Sequence, residues 1–248
     1  MVTGGARGIG AAITRTLVHH GARVTMLGRS ADGLERASQT FGAEDRIDYV
    51  RADVSDADEV SRAFESARER SGLIDILVNN AGQAESAPMK RTDVSLWRRM
   101  MAVNLDGTFH CVQAVLPGML DARWGRVVNV ASTAGLTGYG YVVAYCAAKH
   151  GVIGLTRALA AEVATKGITV NAVCPGYTAT AMFDATVANI VARTGRTLEE
   201  ARLALLEGNP QHRLVLPEEV ANAVAWLCLP GSEAITGQAI AVAGGEVT

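Results

Sequence analysis

Thr3-Gly4-Gly5-Ala6-Arg7-Gly8-Ile9-Gly10 opens a helical pattern. Glycines in such a loop let the backbone pass close under a pyrophosphate, and the helix start turns free N–H groups and a positive dipole end toward it. The spacing is G-x-x-x-G-x-G rather than G-x-G-x-x-G, and no Lys-Ser or Lys-Thr follows. That points away from the P-loop and nucleotide triphosphate hydrolysis. Farther along, Tyr145-Cys-Ala-Ala-Lys149 sets a phenol and an amine on one face at the start of a helix. Ser132 lies 13 residues before Tyr145, directly after an apolar strand. A lone Tyr-x-x-x-Lys is an ordinary surface pair, but beside a strand-end serine and a glycine loop it reads as a site.

Two other strand ends carry polar residues. Asn79-Asn80-Ala81-Gly82 and Asp53-Val54 fall where a ligand must lie in an open parallel sheet. An Asn there can equally brace a turn, and an Asp can accept from an adenine amine or cap the next helix. Where an acidic residue would accept from the ribose 2′-hydroxyl of NAD, the chain has Gly28-Arg29. Arg29 and Arg7 together suit a 2′-phosphate through forked, charge-assisted bonds, so NADP(H) is favoured, with NAD(H) as the alternative. Either arginine alone is as readily a solvated surface residue.

These residues need elements to hold them. The pattern predicts strands over 23–27, 48–51, 74–79, 126–131, 168–173 and 239–242, several of them continuous Val/Ile/Leu runs typical of parallel strands covered on both faces. Only Met1-Val2 remain for the strand before the glycine loop, so that strand is cut off or unusually short. Helices are predicted over 9–20, 33–41, 57–71, 95–120 (with a break near Pro117), 144–165 and 218–229. Ser55-Asp-Ala-Asp58 resembles a capping box, Pro217 suits a first helical position, and Gly21, Gly72 and Gly167 follow helix ends. The alternation means one α/β domain over 1–248: a doubly wound Rossmann-type parallel sheet with helices on both faces. Residues 177–210 break the rhythm with a helical pattern starting at Thr197-Leu-Glu-Glu200. They form either a substrate lid or an extra helical layer.

Composition agrees. Of 248 residues, 49% are hydrophobic and 19% charged, which supports a large core and excludes intrinsic disorder. The net charge of −2 gives no footprint for nucleic acid or an anionic membrane. No apolar run reaches the roughly 18 residues of a membrane span, and the first ten residues hold Arg7 among glycines rather than a signal-peptide core. Cys111, Cys146, Cys174 and Cys228 are scattered, with no C-x-x-C and no His cluster. No metal site is expected, and reduced thiols fit a cytoplasmic protein. His19-His20 suits a helix end, His150 and Cys146 suit packing, and Trp97 and Trp226 suit the core or a subunit contact.

Taken together, T-G-x-x-x-G-x-G at 3–10, N-N-A-G at 79–82, Asn104, Ser132, Y-x-x-x-K at 145–149, and Pro175-Gly176 before Thr180 resemble the short-chain dehydrogenase/reductase family over nearly the whole chain. Within it, 127–132 and 167–176 look most like bacterial 3-oxoacyl-thioester and polyketide ketoreductases. The segment 83–88 lacks the Pro-Gly-Gly run of aromatic polyketide enzymes. The resemblance implies hydride transfer between nicotinamide and a ketone or secondary alcohol, most simply a 3-oxoacyl thioester, in a homotetramer. A secondary-alcohol, cyclic-alcohol or steroid dehydrogenase is the alternative within the class. A non-catalytic dinucleotide-sensing protein is the alternative outside it, and loss of Tyr or Lys would be its mark.

The same resemblance gives Asn104, Ser132, Tyr145 and Lys149 catalytic roles. Tyr145 is the acid/base, Ser132 bonds the substrate oxygen, Lys149 also bonds the nicotinamide ribose, and Asn104 holds a water linking Lys149 to solvent. Cofactor contacts are implied for Thr3, Gly4, Arg7, Gly8, Ile9, Gly10, Arg29, Asp53, Val54, Asn80, Ala81, Gly82, Tyr145, Lys149, Pro175, Gly176, Thr178 and Thr180, with Thr180 orienting the carboxamide. An ammonium ~4 Å from the phenol at effective ε ≈ 20 favours phenolate by roughly 4 kcal/mol, and the positive charge of an oxidised nicotinamide acts in the same direction, which together predict a Tyr145 pKa near neutrality. Tyr139, Tyr141, Val142, Val143, Tyr177, Met182 and Phe183 either line an apolar pocket or pack beneath a lid.

Overall fold

Strands covered on both faces must be apolar at nearly every position, and the central strands of the computed structural model are buried along their whole length. The structure describes residues 1–42 and 45–247. Its strands are β1 (Val2–Thr3), β2 (Val24–Gly28), β3 (Ile47–Arg51), β4 (Ile76–Asn79), β5 (Gly125–Val130), β6 (Ile168–Pro175) and β7 (Ala239–Val242). They form one parallel sheet in the order β3-β2-β1-β4-β5-β6-β7. This is the expected doubly wound α/β fold. β1 is as short as the sequence suggested, yet it is central: Val2 pairs with Met26 on one side and Val78 on the other.

The helices are α1 (Gly8–His19), α2 (Ala31–Thr40), α3 (Ala57–Ser71), α4 (Val94–Met101), α5 (Gly107–Ala122), α6 (Val143–Val163), α7 (Ala181–Thr194), α8 (Leu198–Leu206) and α9 (Pro217–Cys228). Alternate strand residues feed two cores. Leu77, Val127 and Val170 pack with Phe64, Val112 and Val163 from α3, α5 and α6. Val2, Val78, Val128 and Val173 pack on the other face with Ile13, Leu17, Val220 and Val224 from α1 and α9. Each such side chain is worth roughly 1.5–3 kcal/mol when fully buried, so the sheet is a rigid base for the loops at its carboxyl edge.

Three local expectations need correction. The helix predicted over 95–120 runs through Pro117 and opens instead into a π-turn at Ala102–Asp106. There the Asn104 side chain donates to the Met100 carbonyl at 2.9 Å, the bond an i−4 backbone amide would otherwise make. At α3 the cap is Asp56, which accepts from the Glu59 amide at 2.9 Å, while Ser55 turns back to donate to Asp53. β6 continues two residues farther than predicted, to Pro175. The segment 177–210 is helical through α7 and α8, as its pattern predicts, and Thr178 makes an isolated bridge to Val215. Thr197 and Glu200 form the reciprocal capping box at α8.

Candidate active site

The glycine loop leaves β1 and enters α1 with Gly4 and Gly8 at φ 64° and 52°, values that L side chains seldom adopt. A Cβ on Gly10 would collide with the Gly4 carbonyl and stand 2.5 Å from Asn80 Nδ2. Asn80 holds this turn in place. Its side-chain amide donates to the Thr3 and Gly4 carbonyls at 2.9 and 3.3 Å, and Thr3 Oγ1 accepts from the Asn80 and Ala81 amides at 2.9 Å each. Thus N-N-A-G braces the loop directly. Neighbouring Asn79 donates to Asn129, which donates to Thr156, a buried chain tying β4 to β5 and α6.

α1, α2 and α3 all begin at this edge, but their starts differ. Ser30 caps α2 and Asp56 caps α3, whereas Arg7 makes no side-chain cap on α1. The exposed amides at the start of α1 are therefore free to take an anion, which fits the pyrophosphate expected there. Thr180 stands opposite, its methyl 3.3 Å from the place a Cβ on Gly8 would fill. Thr178 donates to the Gly176 carbonyl and Thr180 to the Thr178 carbonyl, so the turn after β6 carries Thr180 over the loop. Arg7 is exposed.

At the end of β2, a Cβ on Gly28 would make ordinary contact with the Leu34 side chain, its nearest atom Cδ2 at 3.5 Å. Arg29 lies beside it, with Nη1 3.7 Å from Asp53 Oδ2. Asp53 also accepts from the Ser55 amide and hydroxyl, at 3.0 and 2.7 Å. Partial burial pulls its carboxyl upward, but the Ser55 bonds and the Arg29 charge outweigh this and hold it below its usual value. Val54 packs under the Gly107 backbone, and its carbonyl meets His110 Nδ1 at 3.0 Å.

Ser132, Tyr145 and Lys149 converge at the carboxyl edge of β5 and β6. Ser132 Oγ accepts from the Ala134 amide at 3.1 Å. Lys149 Nζ donates to the Val130 carbonyl at 2.9 Å and sits 5.7 Å from the centre of the Tyr145 ring. A Cβ on Gly82 would stand 3.7 Å from that nitrogen. The expectation of a Tyr145 phenol near neutrality is not met by the chain itself. Burial raises it to about 12, opposed by a hydrogen bond with Ser132. Lys149 is drawn toward Val130, and burial lowers its own pKa to about 8.

Asn104 faces the N-A-G turn. Its Oδ1 accepts from the Gln83 amide at 3.1 Å, and its Nδ2 donates to the Gln83 and Met100 carbonyls at 2.9 Å each. The side chain is thus committed to bracing the loop. Sequence reading missed Cys174, whose buried thiol lies beneath Ser132 and Lys149 and is pushed up to about 11 by burial. Its place before Pro175-Gly176, on the strand beside β5, was the available signal. It also missed Glu246, which accepts a hydrogen bond from Tyr139. Of the pocket candidates, Phe183 is buried against Tyr177, whereas Tyr141 and Met182 are exposed. Trp97 and Trp226 are part-exposed rather than core residues. His150 bonds the Cys146 carbonyl at 2.9 Å.

A family model described as short chain dehydrogenase matches residues 1–190. The chain belongs to the short-chain dehydrogenases. The D-beta-hydroxybutyrate dehydrogenase of Rhizobium meliloti is 34% identical, over 99% of this chain and 96% of its own. The 3-oxoacyl-[acyl-carrier-protein] reductase of Vibrio harveyi is 36% identical, over 99% and 95%. A crystal structure of a variant of actinorhodin polyketide ketoreductase with NADPH superposes with a TM-score of 0.95 at 38% identity, covering 99% of this chain and 95% of that one. This chain sets its glycine loop and its Tyr-x-x-x-Lys helix on one edge of one sheet.

Proposed function

We propose that this short-chain dehydrogenase reduces a ketone, most simply a 3-oxoacyl thioester, using NADPH. The observation that carries the reading is the meeting of Ser132, Tyr145 and Lys149 beside an uncapped, glycine-lined helix start. The likeness to a 3-oxoacyl reductase and to a ketoreductase solved with NADPH supports the substrate class and the cofactor. A sensing role is disfavoured, because sensing does not require a Tyr-Lys pair.

The roles follow from position. Thr3, Gly4, Gly8, Ile9 and Gly10 cradle the pyrophosphate, and Asn80, Ala81 and Gly82 support it. Arg29 and Arg7 take the 2′-phosphate, with Asp53 and Val54 walling the adenine side. Pro175, Gly176, Thr178 and Thr180 fix the carboxamide end. When bound, NADPH supplies the hydride. Ser132 donates to the ketone oxygen and steadies its developing negative charge. Tyr145, protonated at neutral pH, delivers the proton. Lys149 keeps the phenol's surroundings positive and replenishes the proton. Asn104 positions the loop at Gln83.

Residues 177–210 act as a lid within this single domain, and Asn189 on α7 already reaches Ser86 at 2.8 Å across the cleft. A homotetramer is part of this reading, with the exposed Trp97, Phe109 and Trp226 as candidate subunit contacts, and sedimentation would measure it. The described residues hold no helix long and apolar enough to cross a membrane, and we place the protein in the cytoplasm. Reduction of a panel of ketones, 3-oxo esters and 3-oxoacyl thioesters, followed at the nicotinamide absorbance with NADPH and with NADH, tests the reading. Turnover of a neutral 3-oxo compound with NADPH is expected, and no turnover of any member would overturn it.

A further inference from the structure

Glu246 follows Gly244 and Gly245, both at positive φ (63° and 91°), and this bend returns its side chain to the carboxyl edge. Three segments around the cleft meet it there. Tyr139, between Ser132 and Tyr145, donates its hydroxyl to Glu246 Oε1. Oε2 lies 2.7 Å from the place a Cβ on Gly176 would fill, and Oε1 lies 3.9 Å from the same place on Gly208 at the end of the lid. Among the described residues no cation pairs with this carboxylate. Arg202 on the lid is stacked 5.4 Å over the Phe183 ring, and Lys149 is turned to Val130. Burial first, and then Glu246, push the Tyr139 and Tyr177 phenols up, and Tyr177 in turn acts on Tyr145. Glu246 thus lies within electrostatic reach of the Tyr139 and Tyr177 phenols.

We propose that Glu246 determines substrate specificity by making the far end of the cleft negative, so that the site takes ketones that are neutral there and rejects free 3-oxo acids. The inference rests on the reductase reading and narrows it to esters, thioesters and amides of 3-oxo acids. A like charge brought against an unpaired carboxylate in a partly desolvated cleft is repelled far more strongly than in water. Rejection by such a built-in clash is a common means of discrimination. A carboxylate that merely latched the loop at Tyr139 would affect charged and neutral substrates alike.

The test compares a 3-oxo ester reduced by the enzyme with the free acid of the same carbon skeleton. In the unmutated protein, kcat/KM should favour the ester by about 100-fold, on the order expected for one like-charge clash at 1.4 kcal/mol per tenfold. Glu246→Gln should lower that ratio about tenfold or more, through the KM of the acid rather than through kcat. Tyr139→Phe, which keeps the carboxylate and removes its donor, should leave the ester strongly preferred. Comparable kcat/KM for ester and acid in the unmutated protein would overturn the proposal, as would a proportional change for both in Glu246→Gln. Failure to reduce any neutral ketone would instead overturn the reductase reading, and this proposal with it.

Discussion

At the amino edge of the sheet the chain closes its own ends. The helical segments before Gly21, Gly72 and Gly167 stop at residues with φ of 92°, 83° and 74°, and the Gly72 amide returns to the Arg68 carbonyl at 2.9 Å. Even the buried Arg126 there is largely occupied within the chain, donating to Gly125 and Glu233 at 3.0 and 3.3 Å and lying 4.6 Å over the Trp124 ring. At the carboxyl edge the same strands end in groups with unfinished business: an uncapped α1, a phenol and an amine both shifted by burial, and a carboxylate without a cation among the described residues. One edge satisfies the fold, and the other holds polar groups in readiness for a ligand. The shared sheet makes this contrast testable, because glycines, charges and helix ends occur at both edges.

The largest contrast should come from the glycines. Gly10→Ala puts a methyl against the Gly4 carbonyl and Asn80. Overpacking there should cost about 1–3 kcal/mol of stability and distort the loop enough to weaken NADPH binding at least ~10-fold. Gly21→Ala, at φ 92° with no atom within 4 Å of the new methyl, should cost ~1 kcal/mol and leave NADPH affinity unchanged. Denaturant melts and cofactor titrations of the two variants check this. Equal effects on affinity would erase the distinction between the edges.

Next in size is the pH dependence of the cofactor-free protein. Lys149 titrates near 8 when folded and near 10.5 when unfolded. Below pH 8 both states hold the proton, and the burial penalty is present in full. Between these values the unfolded state alone keeps it, so stability should rise with pH, by up to ~3 kcal/mol from this group. Lys149→Met should flatten that rise in denaturation curves from pH 7.5 to 10. An unchanged slope would mean that the amine is not held in the desolvated state described.

The smallest effect is expected at the ribose. Arg29 is exposed and shares its charge with Asp53 at 3.7 Å, so the NADPH preference should be about tenfold rather than larger. Gly28→Asp with Arg29→Ala should turn the preference toward NADH, as measured by kcat/KM with each cofactor. An NADH preference in the unmutated protein would leave Arg29 as a structural partner of Asp53.

Much of the architecture was legible because apolar periodicity and helix punctuation are local. The strand runs, Pro217 and Gly72 each act over a few residues, and the structure places them as read. The departures have tertiary causes. The break at Asn104 depends on a side chain entering the helical ladder, which no propensity at Pro117 could reveal. Asp56 rather than Ser55 caps α3 because Asp53 already engages Ser55. Spacing brought Tyr145 and Lys149 to one face, but it could not show that Val130 would claim the amine. Glu246 was invisible for the same reason, since its partners lie at 139, 176 and 208.

The central claim is that Tyr145, supported by Ser132 and Lys149, moves the proton in an NADPH-dependent ketone reduction. Tyr145→Phe removes one oxygen while sparing the glycine loop, so it separates chemistry from binding. Single-turnover reduction of a ketone by NADPH, measured beside NADPH affinity, should show kcat lower by about 100-fold or more with affinity kept within threefold, as expected for loss of a general acid. Near-normal turnover in that variant would contradict the account.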